Sequence, residues 1–81
     1  MNILYFAWIR ERIGVPSEEA PAGVTTVREL INVLQAKEER YQIAFSDLSA
    51  IRVAVDQQLT DFDASLEKAH EVAFFPPMTG G

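Results

Sequence analysis

Residues 26–34 read TVRELINVL, and they set the problem that the rest of the chain must solve. Thr26, Val27, Arg28 and Glu29 have the S/T-x-x-E spacing of a capping box, in which a hydroxyl and a carboxylate satisfy backbone N–H donors at a helix start. Val27, Leu30, Ile31 and Leu34 then recur at i, i+3, i+4 and i+7, one apolar stripe along one helix face. Such a stripe is stable only against another layer. The flanking sequence offers strands to build it.

Upstream, Asn2 to Trp8 (NILYFAW) is a compact apolar run that predicts a central strand. IRERIG, residues 9–14, predicts a short helical turn in which Ile9 and Ile13 share a face and Gly14 ends the turn in a left-handed conformation. VPSEEAPAG, residues 15–23, is bounded by proline and glycine and can give at most a short, polar edge strand. Downstream, Tyr41, Ala44, Phe45 and Leu48 are spaced for a second short helix. AIRVAV, residues 50–55, is β-branched and alternating, residues 56–58 can turn it, and Leu59 starts a return strand. Asp61 to His70 reads as a polar loop with Leu66 as its core anchor, and EVAFFP, residues 71–76, is the last strand. Strand, strand, helix, strand, strand, strand, with one long helix to cover one sheet face, predicts an α+β domain of the β-grasp type: a mixed sheet packed on one main helix. Residues 1–81 form one domain in this reading, with 76–81 as an extended functional tail.

Composition limits what such a domain can do. At 81 residues with 48% hydrophobic side chains, the chain has enough apolar material for one thin core and too much for a disordered segment. No apolar run approaches the roughly 18 residues that span a bilayer, and the first residues lack the basic segment and cleavage site of a signal peptide, so the expected location is the cytoplasm. Twelve acidic against seven basic residues give a net charge of -5, and no basic stripe exists to neutralise a phosphate backbone, which argues against nucleic acid. The same acidity favours fast encounter with a basic protein surface. With no cysteine, disulfides, thiolate metal sites and cysteine nucleophiles are ruled out. His70 has no second histidine or cysteine to complete a metal or catalytic site, Asp61 and Asp63 read as solvated loop charges, and Trp8 as a packing residue.

The end of the chain carries the chemistry. Successive strand side chains point to opposite faces, so Phe74 and Phe75 cannot enter the same core. With Val72 and Phe74 under the helix, Ala73 and Phe75 lie on the uncovered face; the same parity buries Ile3 and Tyr5 and exposes Leu4 and Phe6. Such a face is expected to receive a partner, unless the sheet curls and its own loops cover the rings. Pro76 and Pro77 remove two ladder donors and send the chain out extended. The six residues from Pro76 to Gly81 reach at most about 20 Å at roughly 3.3 Å each, far enough to enter another protein's cleft. Gly80 and Gly81, without Cβ, can pass a narrow channel with the Gly81 carboxylate leading. An α-carboxyl with a pKa near about 3.5 is ionised and a poor electrophile, so it must be activated, for instance as an acyl-adenylate, before an amine or a sulfur nucleophile captures it. Gly14 and Gly23 stand alone and form no phosphate-cradling loop, so any ATP belongs to a partner and no cofactor is expected on this chain.

At this point a family comes into view. EVAFFPPMTGG, residues 71–81, closely resembles the C-terminal signature of the small subunits of molybdopterin synthase, which are ubiquitin-like sulfur carriers. The match extends to Phe6, Ala7, Arg10, Glu11 and Gly14, to the helix start at Thr26 and Val27, and to VAVDQQL, residues 53–59. The resemblance implies that an adenylating enzyme activates Gly81 with ATP and that a sulfur donor protein converts it to a thiocarboxylate. It further implies that the tail enters the large subunit of the synthase, in a heterotetramer of two small and two large subunits, where sulfur passes to cyclic pyranopterin monophosphate. In that scheme Gly80 gives clearance, Thr79 hydrogen-bonds the channel, and Phe6, Leu59 and Phe75, continued by Pro76, Pro77 and Met78, form the face that both partners use. One departure is visible: the Asp-Gly-Asp-like turn common before the last strand is here EKAHE, residues 67–71, without glycine. Three alternatives stay open: a carrier for thiazole or tRNA thiolation, a ubiquitin-like modifier whose Gly81 is captured by a lysine, and an interaction module with an inert tail. The Phe-Phe-Pro-Pro exit favours the molybdopterin branch.

Overall fold

The architecture follows from how the helix stripe is buried. In a computed structural model, which describes residues 1–77, the elements run β1 (Asn2–Tyr5), α1 (Ala7–Ile13), β2 (Ser17–Glu19), α2 (Val27–Lys37), α3 (Glu39–Ala44), a 3₁₀ turn (Leu48–Ala50), β3 (Arg52–Val55), β4 (Gln58–Thr60) and β5 (Glu71–Phe75). The five strands form one sheet in the order β2-β1-β5-β3-β4, with β1 and β5 parallel at its middle and every other pair antiparallel. This is the mixed sheet expected of a β-grasp. Strands β2 and β3, which flank α2 in sequence, run parallel to each other with β1 and β5 between them, so α2 crosses over the centre of the sheet.

Helix α2 begins where its capping residues predict. The Thr26 hydroxyl accepts from the Glu29 N–H at 3.1 Å, while Glu29 reaches back to Thr25, accepting from its N–H at 3.3 Å and its hydroxyl at 3.1 Å. The remaining first-turn donors go to the loop after β4: Val27 N–H to the Ala64 carbonyl at 3.1 Å and Arg28 N–H to the Phe62 carbonyl at 2.7 Å. The polar loop predicted from Asp61 to His70 is therefore laced to the helix start, and Leu66 is buried at its middle, as expected of an anchor. Val27, Leu30, Ile31 and Leu34 are all buried against Ile3, Tyr5, Val53, Val72 and Phe74 of the sheet. The side helices complete the layer, α1 through Ile9 and Ile13 and α3 through Tyr41 and Ala44.

The second short helix, expected to reach Leu48, ends at Ala44, β4 starts one residue early at Gln58 and β5 stops at Phe75; two further boundaries differ for clear physical reasons. The first strand was expected to run to Trp8 but stops at Tyr5, because Ala7 takes a left-handed φ of 53° and turns the chain into α1. The pull is exerted by Ile9 and Ile13, which reach the core together only on a helix. Gly14 ends that helix at φ 96° and donates its N–H to the Arg10 carbonyl at 2.8 Å. Trp8, half-buried, packs on the core margin with the Arg12 guanidinium 4.8 Å above its ring. Likewise β3 starts at Arg52 rather than Ala50: the Asp47 carboxylate accepts from the Ser49 N–H and closes a 3₁₀ turn over Leu48–Ala50.

Candidate functional site

The helices occupy one face of the sheet; the other is open. Strand register carries Leu4, Ala73, Ala54 and Leu59 side by side across β1, β5, β3 and β4, all on the open face, and sets Phe75 opposite Arg52 one step along. Two alanines at the centre make a shallow floor, and larger side chains stand around it. Phe6 is 45% exposed and Leu59 is 71% exposed, while Leu4 and Phe75 are half-buried. Ala73, assigned by parity to this face, is nonetheless buried, since its methyl sits between Leu4 and Ala54 on a central strand. Leu4, Phe6, Ala73 and Phe75 join Pro76, Pro77, Gln57 and Glu71 around an open depression of about 740 Å³.

The sequence-assigned residues thus fall into three groups. Phe6, Phe75, Pro76 and Pro77 line one depression continuous with the tail exit. Leu59 shares their face but stands apart from the depression, beyond Ala54 on the edge strand. Met78, Thr79, Gly80 and Gly81 lie outside the described residues. Sequence reasoning overlooked Ala54, the other half of the floor, and Arg52, a cation beside Phe75 whose Nη1 donates to the Ser49 and Ile51 carbonyls at 3.1 and 3.0 Å. The alternation of residues 51–55 puts both on the face opposite Val53, but placing them beside Phe75 and Ala73 requires the register of β3 against β5.

The open face is held from behind. Tyr5 lies between Leu4 and Phe6 and points to the core, where its hydroxyl donates to Glu18 Oε2 at 2.8 Å; the Tyr41 hydroxyl donates to the same oxygen at 2.6 Å. Arg40 joins them, donating from Nη2 to the Tyr41 hydroxyl at 3.2 Å and from Nη1 to the Ile13 carbonyl at 2.6 Å. Burial, and then the hydrogen bond to the Glu18 carboxylate, push the Tyr41 hydroxyl up to about 12, and the same two causes raise Tyr5 as well. Glu18 sits on the strand expected to be merely a polar edge; its partners lie 13 and 23 residues away in sequence.

The start of β5 is fixed by the hairpin that joins β3 to β4. Asp56 and Gln57 both have positive φ, 48° and 69°, the pattern of a two-residue type I′ turn. From that corner, Asp56 Oδ1 accepts from the His70 and Glu71 N–H groups at 2.9 and 3.0 Å, and the Asp56 N–H donates to the Glu71 carbonyl at 2.9 Å. A carboxylate clamp thereby holds the glycine-free stretch of residues 67–71. The His70 ring itself is almost fully exposed, with Nδ1 3.9 Å from Asp56 Oδ2. Among the described residues there is no cluster of three metal-ligating side chains, and no helix is long and apolar enough to cross a membrane.

A five-stranded β-grasp with an open apolar face leading into a Pro-Pro exit defines a class, and comparison with known proteins agrees. The chain belongs to the ThiS family, which it matches over residues 3–81. Its relatives include the molybdopterin synthase sulfur carrier subunit of Escherichia coli, 40% identical over 81 residues that cover all of this chain and 99% of the relative. The corresponding subunit of Haemophilus influenzae is 32% identical, again over all of this chain and 99% of its own. Among solved structures, SAMP1 from Haloferax volcanii superposes with a TM-score of 0.71 over 100% of this chain and 98% of its own; at 21% identity it speaks for the fold alone. A Pyrococcus furiosus protein assigned as molybdopterin converting factor subunit 1 superposes with a TM-score of 0.69 at 29% identity, covering 94% of both chains. The resemblance read from residues 71–81 therefore holds over the whole chain.

Proposed function

We propose that this protein is the sulfur carrier subunit of a molybdopterin synthase, and that the open face around Phe6 and Phe75 docks it on its partners while the tail delivers Gly81. The single observation that carries this reading is the continuity of the apolar depression with the tail: the rings that line it and Pro76 and Pro77 are one surface, so a protein gripping the face also aims the chain that follows. Family membership over residues 3–81 includes that tail.

The chemistry needs little from the carrier itself. The Gly81 carboxylate attacks the α-phosphate of ATP on an adenylating partner, and pyrophosphate leaves. A sulfide-level sulfur from a donor protein then displaces AMP, so that a thiocarboxylate replaces the carboxylate. In the large subunit the sulfur is passed to cyclic pyranopterin monophosphate, and water restores the Gly81 carboxylate for another round. ATP and pterin are held by partners, and the contribution of this chain is a rigid grip and a thin, Cβ-free tip.

The test is the intact mass of the protein after incubation with ATP, a sulfur donor and an adenylating enzyme. A gain equal to exchange of one oxygen for one sulfur, absent when Gly81 is deleted, is expected. An unchanged mass with the molybdopterin-pathway activating enzyme would overturn the reading.

A further inference from the structure

The corner between β1 and α1 contains a conformational anomaly at the edge of the open face. Phe6 is the last residue in the β1–β5 ladder, donating its N–H to the Phe74 carbonyl at 3.1 Å, and it is extended, at φ -124° and ψ 155°. Its own carbonyl accepts from the Ile9 and Arg10 N–H groups at 3.2 and 3.3 Å, so it also starts the helix. Between these two commitments stands Ala7, at φ 53°, in the left-handed region that disfavours any residue with a Cβ. Glycine would take this angle with less strain. Packing does not explain the alanine either, because Ala7 is exposed and its methyl fills no part of the core.

We infer that Ala7 is a positioning residue: its methyl narrows the backbone freedom of the corner and so holds the exposed Phe6 ring ready on the docking face. Strand pairing on one side and the buried Ile9 and Ile13 on the other force φ positive at residue 7. With a Cβ, only the small left-handed well satisfies that demand, whereas glycine would satisfy it over a broad range of angles. Backbone strain kept beside a binding residue, where a less strained residue was available, is what preorganisation of that residue would produce. The inference rests on the docking role given to Phe6 above and goes beyond it, since Ala7 itself need touch no partner.

The experiment compares Ala7→Gly, Ala7→Asn and Phe6→Ala in the full chain, by calorimetric titration with the large subunit of molybdopterin synthase, by thermal melting, and by nitrogen relaxation of the Phe6 amide in the unbound protein. Ala7→Gly is expected to bind about two- to fivefold more weakly, the size of the backbone freedom that an alanine-to-glycine change adds. Its melting temperature should stay nearly the same, because relieved strain and a freer unfolded chain oppose each other, and its Phe6 amide should become more mobile. Ala7→Asn, which keeps a Cβ and tolerates the left-handed region, should bind like the unmodified protein. If Phe6→Ala weakens binding but Ala7→Gly does not, or if Ala7→Gly weakens it with the Phe6 amide as ordered as before, the role of Ala7 is wrong and the docking face stands. If neither variant changes affinity, both are wrong.

Discussion

Tyr41 on α3 donates its hydroxyl to Oε2 of Glu18 on the edge strand β2, at 2.6 Å, and thereby ties a helix of the covering layer to one edge of the sheet. Since Tyr5 on β1 uses the same oxygen, one carboxylate serves two aromatic hydroxyls that are otherwise sealed from water. Replacing Glu18 by Ala leaves both donors without their acceptor and should destabilise the fold by about 1–3 kcal/mol, whereas Glu18→Gln, which keeps a neutral acceptor, should cost less. Urea midpoints of the two variants decide the matter; equal and negligible shifts would show that the hydroxyls find other partners.

The same network makes stability depend on alkaline pH. The Tyr41 hydroxyl is raised to about 12 and Tyr5 is raised in the same direction, each from an ordinary value near about 10. A folded-state pKa above the unfolded one gives stability that is fully present below about pH 10 and is lost as pH climbs through the folded value. The urea midpoint should therefore hold steady up to about pH 10 and decline towards about pH 12, with tyrosinate absorbance appearing as the protein unfolds. A rise in tyrosinate absorbance that leaves the midpoint untouched would count against this.

Phe74 and Phe75 should separate stability from association. Phe74 is buried in the core, stacked on Tyr5 with ring centroids 6.2 Å apart and edge-on to Phe45 at 5.0 Å. Phe74→Ala should cost about 3–5 kcal/mol, a large share of the total stability of a small domain. Phe75→Asp should leave the fold standing and, on the docking role proposed for this face, weaken association with the large subunit by roughly tenfold or more, because it would place an unpaired charge in an apolar contact. Titration of the large subunit with Phe75→Asp at unchanged affinity would remove Phe75 from the proposed interface.

Asp56→Ala takes away the acceptor for two backbone N–H groups at the start of β5 and should lower stability by about 1–2 kcal/mol. Amide exchange should accelerate at His70 and Glu71 before it does elsewhere in the strand. Asp56→Asn, which keeps an acceptor oxygen and tolerates positive φ, should be milder on both measures. Uniform acceleration across β5 would mean that the clamp is not a local device.

How much of this was legible beforehand depended on whether the deciding contact was local. Thr26 and Glu29 are three residues apart, and the helix they open begins where their spacing says. Parity along residues 71–75 separated Phe74 from Phe75 because a strand alternates whatever it pairs with. The end of β1 was hidden inside NILYFAW, where no polar residue or glycine marks the turn and the cause lies ahead, in the burial of Ile9 and Ile13. Glu18 looked like solvent-facing punctuation because Tyr5 and Tyr41 meet it only after the sheet and α3 have assembled. The alternation of residues 51–55 puts Arg52 and Ala54 on the face opposite Val53, but their places beside Phe75 and Ala73 come from the register of β3 against β5, which no local pattern encodes.

The central place of β5 has a mechanical side. Its continuation is the tail, and it is flanked by β1 on one edge and β3 on the other. A pull along the tail therefore runs down the strand axis and loads both ladders in shear, many bonds at once; a tail attached to the edge strand β4 would instead allow the ladder to be peeled open bond by bond. Pulling on the chain just beyond Pro77 in a force-spectroscopy experiment should therefore meet a high, single rupture rather than a gradual unzipping.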